Sequence, residues 1–248
     1  MSVTEIPYKF LANAAPPERG SVTASVTAEL RRAIITLELQ PGEVLDKGLI
    51  CERLGVSRFP VSEALARLQA EGLVDIMPQR GSMVSRVRIA DVVEYMLIRK
   101  ALESEAIRVL VARHPPGIVA ALEANLADQL KAARRGDREM FHGHDLAFHE
   151  ILFAAMRFER IRAVIDSARA NLDRARRLIL DPRRLTMTHA EHKAIADGVA
   201  AADADRAVAA MRRHIDKVTG EFLTFARTTP GLFADSERLE ADDMALFD

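Results

Sequence analysis

The sequence predicts a mainly α protein in two parts: a small N-terminal unit of three short helices and a hairpin, then an all-α helical bundle. Three observations carry this. Apolar residues recur at spacings of three and four along most of the chain, as in helices that bury one face. Aromatic residues make up only 5% and Trp is absent, so the core must be built from Leu, Ile, Val, Ala and Met, which suits packed helices. The helical period breaks between Leu73 and Val87, where short apolar runs flank the turn Pro78-Gln79-Arg80-Gly81.

Residues 1–20 contain Ala14-Ala15-Pro16-Pro17 and no apolar period, and are expected to form a flexible arm. Val26, Leu30, Ile34 and Leu37 then mark one face of a first helix, which Pro41-Gly42 ends. Leu49, Ile50, Leu54 and Val56 mark a second, with Gly55 at its C-terminal end. Ser57 suits the N-cap of a third, Pro60 falls in its tolerant first turn, and Val61, Ala64, Leu65 and Leu68 form its apolar face. Three short helices and a hairpin make a winged helix-turn-helix over 21–88. From Ile89 to about Thr228 the pattern is helical, roughly six helices interrupted at Pro115-Pro116-Gly117, Gly136-Asp137, Asp181-Pro182 and the Gly198 region. Residues 229–248 carry six Asp/Glu against one Arg and are expected to be a mobile acidic tail, with Leu232, Phe233 and Phe247 able to dock.

The formal net charge of -1 excludes a generally basic protein, so any nucleic-acid face must be local. One cysteine, Cys51, excludes an intrachain disulfide, and its apolar helical setting suggests a buried thiol. No stretch approaches the roughly 18 uninterrupted apolar residues of a membrane span, and no signal peptide is visible. A cytoplasmic protein with no membrane partner is expected.

The third helix begins Ser57-Arg58-Phe59-Pro60-Val61-Ser62 and presents Arg58, Phe59 and Ser62 away from its apolar face. In a helix-turn-helix such a first turn reaches base edges in the major groove. The guanidinium fork matches the two acceptors of guanine, and free N–H groups at the helix start can hold phosphate. Arg80 sits at the hairpin tip, where a wing reaches backbone or minor groove. Residues 21–88 hold nine Lys/Arg and eight Asp/Glu, but Arg58, Arg67, Arg80, Arg86 and Arg88 cluster towards the third helix and wing. By periodicity alone, these arginines equally suit a solvated surface.

The run Leu39-Gln40-Pro41-Gly42-Glu43-Val44-Leu45, then Leu54-Gly55-Val56-Ser57-Arg58-Phe59-Pro60-Val61-Ser62-Glu63-Ala64-Leu65-Ala66-Arg67-Leu68, then Glu71-Gly72-Leu73-Val74 and Arg80-Gly81, resembles the GntR family of bacterial regulators. The resemblance implies double-stranded operator DNA as partner, with Ser57, Arg58, Phe59, Ser62, Arg67, Arg80 and Gly81 at the interface. It also implies a homodimer, since a two-fold pair reads a palindrome. The family usually has Arg where this chain has Ser62, and often Arg where it has Gly48, which implies an altered contact set. Phe59, usually a small Thr, is placed to pack on a thymine methyl.

Asp145 and His149 are four apart, so they share a helix face, and His142 precedes Asp145 by three. Carboxylate and imidazole both ligate divalent transition metals. His189 and His192 are three apart, and His214 lies on the last long helix. Seven histidines also produce such pairs by chance. The stretch Tyr95 to Val218 is similar to the sensing domain of the FadR branch of the same family, through Arg99 with Glu103, Asp145-Leu146-Ala147-Phe148-His149, Glu191-His192 with Ala194-Ile195, and Ala207 through His214-Ile215. Many members hold a metal inside the bundle with one Asp and three His. Carried over, these are Asp145, His149, His192 and His214, while His142, His144 and His189 have no counterpart. Arg157-Phe158 replaces a Gly-Asn common in relatives.

The resemblance therefore implies a DNA-binding regulator, with repression as the expected sign, and not an enzyme. Its operator affinity would follow a small organic acid bound at a divalent transition metal (Zn, Ni or Mn). Arg99 matches a position that often lines the effector pocket and can grip a carboxylate in a bidentate way. An Arg99–Glu103 pair that only supports its helix is the equal alternative. A metalloenzyme with Glu150 or Glu191 as base, a metal-only sensor and a metal-free sensor remain the rival readings.

Overall fold

The computed structural model describes residues 8, 10–11, 22–77, 79, 81–154 and 169–238. Arg80, Arg157-Phe158, Phe247 and most of the expected arm lie outside these residues. The described chain forms two compact units: the residues up to Arg88 together with Thr229–Ser236, and Ile89–Thr228.

The first unit holds α1 (Val22–Ile35), β1 (Val44–Leu45), α2 (Lys47–Leu54), α3 (Arg58–Ala70), β2 (Val74–Met77) and β3 (Gly81–Val84). β3 lies between β1 and β2 in an antiparallel sheet, with Val44 opposite Met83 and Val74 opposite Val84. The hairpin is thus joined by a short third strand that periodicity did not single out, because two residues carry no readable alternation. Leu30, Ile34, Ile50, Val61, Leu65, Leu68 and Val84 are fully buried. Leu37 does not continue the first helix: it takes φ 63°, and Leu39 is buried in its place. Gly55 closes α2 in the left-handed conformation at φ 63°, and its N–H reaches the Cys51 and Glu52 carbonyls. Cys51 is only half-buried, because α2 turns Ile50 alone fully inward.

Two flanking segments are anchored on this unit. Tyr8 Oη accepts from the Asp46 backbone N–H at 2.9 Å, and Leu11 is buried. These described residues of the expected flexible arm are packed. Val87 N–H donates to the Leu232 carbonyl (3.1 Å), and Ala234 N–H donates to the Val87 carbonyl (3.0 Å). Phe233 is buried. So Thr229–Ser236, expected as part of a mobile tail, forms a strap pinned by an aromatic anchor and a short parallel bridge.

The second unit holds α4 (Ile89–Arg113), α5 (Ile118–Arg135), α6 (Arg138–Ala154), α7 (Arg169–Ile179), α8 (Pro182–Ala200) and α9 (Ala204–Thr228). α9 packs on α4 and α8, and α5 packs on α6 and α8. Phe141, Phe148, Leu185, Ile195, Val199, Met211 and Phe222 are in its core. Asp181 caps α8 by accepting from the Arg184 N–H (2.7 Å), with Pro182 in the first turn. Gly198 does not break the helix: it lies inside α8, where an added Cβ would sit 2.7 Å from Ala207 Cα on α9. Among the described residues, no helix is long and apolar enough to cross a membrane.

Candidate functional site

α6 carries Asp145 and His149, α8 carries His192, and α9 carries His214. All four are buried, and one ligand atom from each lies within 4.8 Å of the others. Atoms sharing one ion through bonds of about 2.0–2.2 Å lie at most about 4 Å apart, so the spacing is close to that of a bound site. His192 Nε2 is 3.6 Å from Asp145 Oδ1.

Every imidazole is oriented through Nδ1. His149 Nδ1 meets Glu103 Oε2 at 2.7 Å, His192 Nδ1 meets Gln129 Oε1 at 3.0 Å, and His214 Nδ1 meets Glu191 Oε2 at 2.8 Å. Carboxylate and amide oxygens accept, so Nδ1 is the donor and Nε2 is left with its lone pair. Those three Nε2 atoms are buried, with no hydrogen-bond partner among the described residues. Buried polar atoms are normally paired, and an imidazole held at one nitrogen with the other open is the usual arrangement around a metal. Phe148 stacks on the His192 ring with centroids 4.2 Å apart, fixing its plane.

Electrostatics keep the donors in their ligating forms. Burial pushes His149 down to about 4 and holds His192 and His214 below their usual value, so all three are neutral near pH 7. Burial would raise the Asp145 carboxyl, but the Arg176 guanidinium bonded to it keeps it below the usual range. Burial likewise opposes ionisation of Glu103, and the Arg99 guanidinium and His149 together outweigh it. The cations Arg99, Arg176 and Arg184 match the anions Glu103, Asp145 and Glu191. A divalent ion would add two positive charges, which an anionic ligand would offset.

Arg99 is buried and donates from Nε to Glu103 Oε1 at 2.6 Å. It therefore belongs to a relay, Arg99–Glu103–His149, that ends on a candidate ligand; it is not a surface helix pair. Arg184 donates to Glu191 (2.7 Å) and to Glu221 (3.1 Å), bracing the partner of His214. His142, without a counterpart in the resemblance, nonetheless lines the same small cavity as Asp145 and His214. Sequence reasoning missed Gln129, Arg176 and Arg184. Gln129 left one trace: with Asn125 it puts two polar residues at helical spacing on the buried face of α5.

On the first unit, Ser57, Arg58, Phe59 and Ser62 are exposed at or beside the first turns of α3, and Arg67 is exposed in its last turn. Phe59 is 72% exposed, unusual for a large apolar side chain with no covering group. Ser57 occupies the N-cap position, but its hydroxyl makes no capping bond, so the N–H groups of the first turn keep their capacity for an outside acceptor. Arg31 and Arg32 are tied to Glu71 and Glu38, whereas Arg58, Arg67 and Arg86 have no ion pair among the described residues. Gly81 starts β3 at φ 92°, a conformation that favours glycine.

Comparison with known proteins adds two family matches. Residues 22–84 match the model for bacterial regulatory proteins of the gntR family, and residues 94–217 match the FCD domain. An HTH-type transcriptional regulator from an unstable DNA locus of Streptomyces ambofaciens, itself uncharacterized, is 37% identical over 83% of this chain and 87% of its own length. The HTH-type transcriptional repressor RspR of Escherichia coli K12 is 30% identical over 77% of this chain and 84% of its own. The solved structure of Escherichia coli McbR/YncC has a similar fold, with a TM-score of 0.66 at 21% identity over 82% of this chain and 98% of that one.

Proposed function

This chain belongs to the GntR family of bacterial transcription regulators, with an FCD domain behind its winged helix, and from that premise we propose that it is a repressor controlled by an organic acid at a metal. The first unit reads operator DNA as a homodimer, and the second is the sensor. The family consists of regulators, so the Asp/His cluster is assigned to sensing, not turnover. RspR is by name a repressor, which supports that sign.

One observation carries the metal: three buried Nε2 atoms, each on an imidazole anchored at Nδ1, gather with a deprotonated Asp145. This donor set fits Zn²⁺, Ni²⁺ or Mn²⁺. Bound there, the ion would supply an open coordination position and positive charge for a carboxylate. Asp145, His149, His192 and His214 would hold it, and Glu103, Gln129 and Glu191 would set their orientation. Arg99 and Arg176 would add positive charge beside that position. Acid binding lowers operator affinity only by favouring one arrangement of the bundle over another.

Thermal unfolding with a panel of small carboxylic acids, before and after chelation, tests the sensor. An acid that raises the melting temperature only in metal-loaded protein supports it. Indifference to both chelator and acids overturns it. On the DNA side, Ser57, Arg58, Phe59, Ser62 and Arg67 form the reading surface, with Arg80 and Gly81 at the wing. Arg58→Ala should cost about 1–3 kcal/mol and relax one base position. Equal weakening on every sequence would make Arg58 a phosphate contact.

A further inference from the structure

The cavity at the candidate metal centre is too small for a metabolite. It measures about 20 Å³ and is lined by His142, Asp145, Arg176, Leu180, Thr188 and His214, among others. That is space for roughly one water molecule. A second cavity of about 630 Å³ adjoins it in the same unit, and the two share Ile179, Leu180 and Arg184 as lining. The larger one has the size of an ordinary ligand site, roughly 300–1,000 Å³.

Its walls have a definite chemistry. Leu178, Ile179, Met187 and Phe225 supply apolar surface from α7, α8 and α9. Arg138 and Arg183 are exposed, and neither has an ion pair among the described residues. Arg184 differs, since Glu191 and Glu221 satisfy it. Glu221 lines the large cavity and is joined through Arg184 to Glu191, which orients His214. An occupant that moves Glu221 therefore acts on a candidate metal ligand by way of one guanidinium.

We propose that this larger cavity holds the body of an elongated dicarboxylate, with one carboxylate directed past Leu180 to the metal centre and the other met by Arg138 and Arg183. The inference rests on the metal-dependent sensor reading and deepens it. The small chamber has room for one water-sized carboxylate oxygen, the apolar walls take a methylene spacer, and the unpaired arginines receive the distal charge. Short acids lack the reach to use those arginines. Long monocarboxylates lack the second charge.

The test is calorimetric titration of Zn²⁺-loaded protein with succinate, adipate, suberate and octanoate. Two variants accompany the native chain: Arg183→Gln, which removes an exposed cation, and Thr224→Trp, which fills the cavity from an exposed position. Suberate or adipate should bind more tightly than succinate and octanoate. Arg183→Gln should weaken the favoured diacid by roughly tenfold, the scale of one charge-assisted hydrogen bond. Thr224→Trp should abolish the length preference while zinc content and melting temperature hold. Succinate binding as tightly as both longer diacids, chelator-sensitive binding unaffected by Thr224→Trp, or no binding of either long diacid overturns the inference. Acid binding that ignores the chelator instead sinks the metal-centred reading beneath it.

Discussion

Replacing Gly198 by Ala isolates what the approach of α8 and α9 demands. The new Cβ would lie 2.7 Å from Ala207 Cα and 2.8 Å from both Ala207 Cβ and N. Non-bonded carbons prefer about 3.5–4.0 Å, so the shortfall is roughly 0.8 Å or more. Two of these atoms are backbone, so no rotamer change relieves the clash, and the helices must separate. Overpacking of this kind costs about 1–3 kcal/mol, with the upper half expected because backbone has to move. Alanine returns about 1 kcal/mol through helix propensity. The net is a loss of about 1–2 kcal/mol, or about 2–8 °C in melting temperature for a chain of this size. Circular dichroism on chelated Gly198→Ala against the native protein measures it. The same separation pulls His192 from His214, so zinc affinity should also fall. A melting temperature equal to or above the native one would refute the close approach and the reason given for the glycine.

Gln129→Met should weaken zinc binding by about 10–100-fold, the usual effect of losing the group that orients a ligating imidazole, because nothing would then fix the His192 Nδ1 proton; competition with a chromogenic chelator reads this, and unchanged affinity speaks against that tautomer. Asp46→Ala should cost about 1 kcal/mol in urea unfolding, since Asp46 Oδ1 accepts from the Gly48 and Leu49 N–H groups at 2.8 and 3.0 Å. Ser57→Ala, whose hydroxyl caps nothing, should stay within about 0.5 kcal/mol; equal losses would contradict the cap geometry. Burial holds His142 and His149 down to about 4 in the folded chain, against 6.5 for the free side chain. Unfolded chains then bind more protons between those values, so the chelated protein should lose stability as pH falls from about 6.5 to 4. Urea midpoints that stay constant across this window would show the imidazoles to be accessible in the fold.

The elements follow from local rules, and the sequence states local rules directly. Spacings of three and four placed the helices, Gly55 and Asp181-Pro182 marked their ends, and the turn before Gly81 marked the wing. Asp145 and His149 were visible as a pair because one helix turn brings them together. What periodicity cannot state is which buried face meets which. Glu103 and His149 are 46 residues apart, Gln129 and His192 are 63 apart, and Glu191 and His214 are 23 apart. Only packing of α4, α5, α6, α8 and α9 makes those partnerships, so the groups that orient the imidazoles were largely silent in the sequence. The same holds for Gly198, which looked like a helix breaker until Ala207 came against it. It holds for Phe233, whose anchoring partner Val87 lies almost 150 residues earlier in the chain. Residue types and their periods determined the parts and the donor chemistry. Tertiary contact alone decided that the donors converge, because buried surfaces are paired by shape and burial across the whole unit, not by neighbours along the chain.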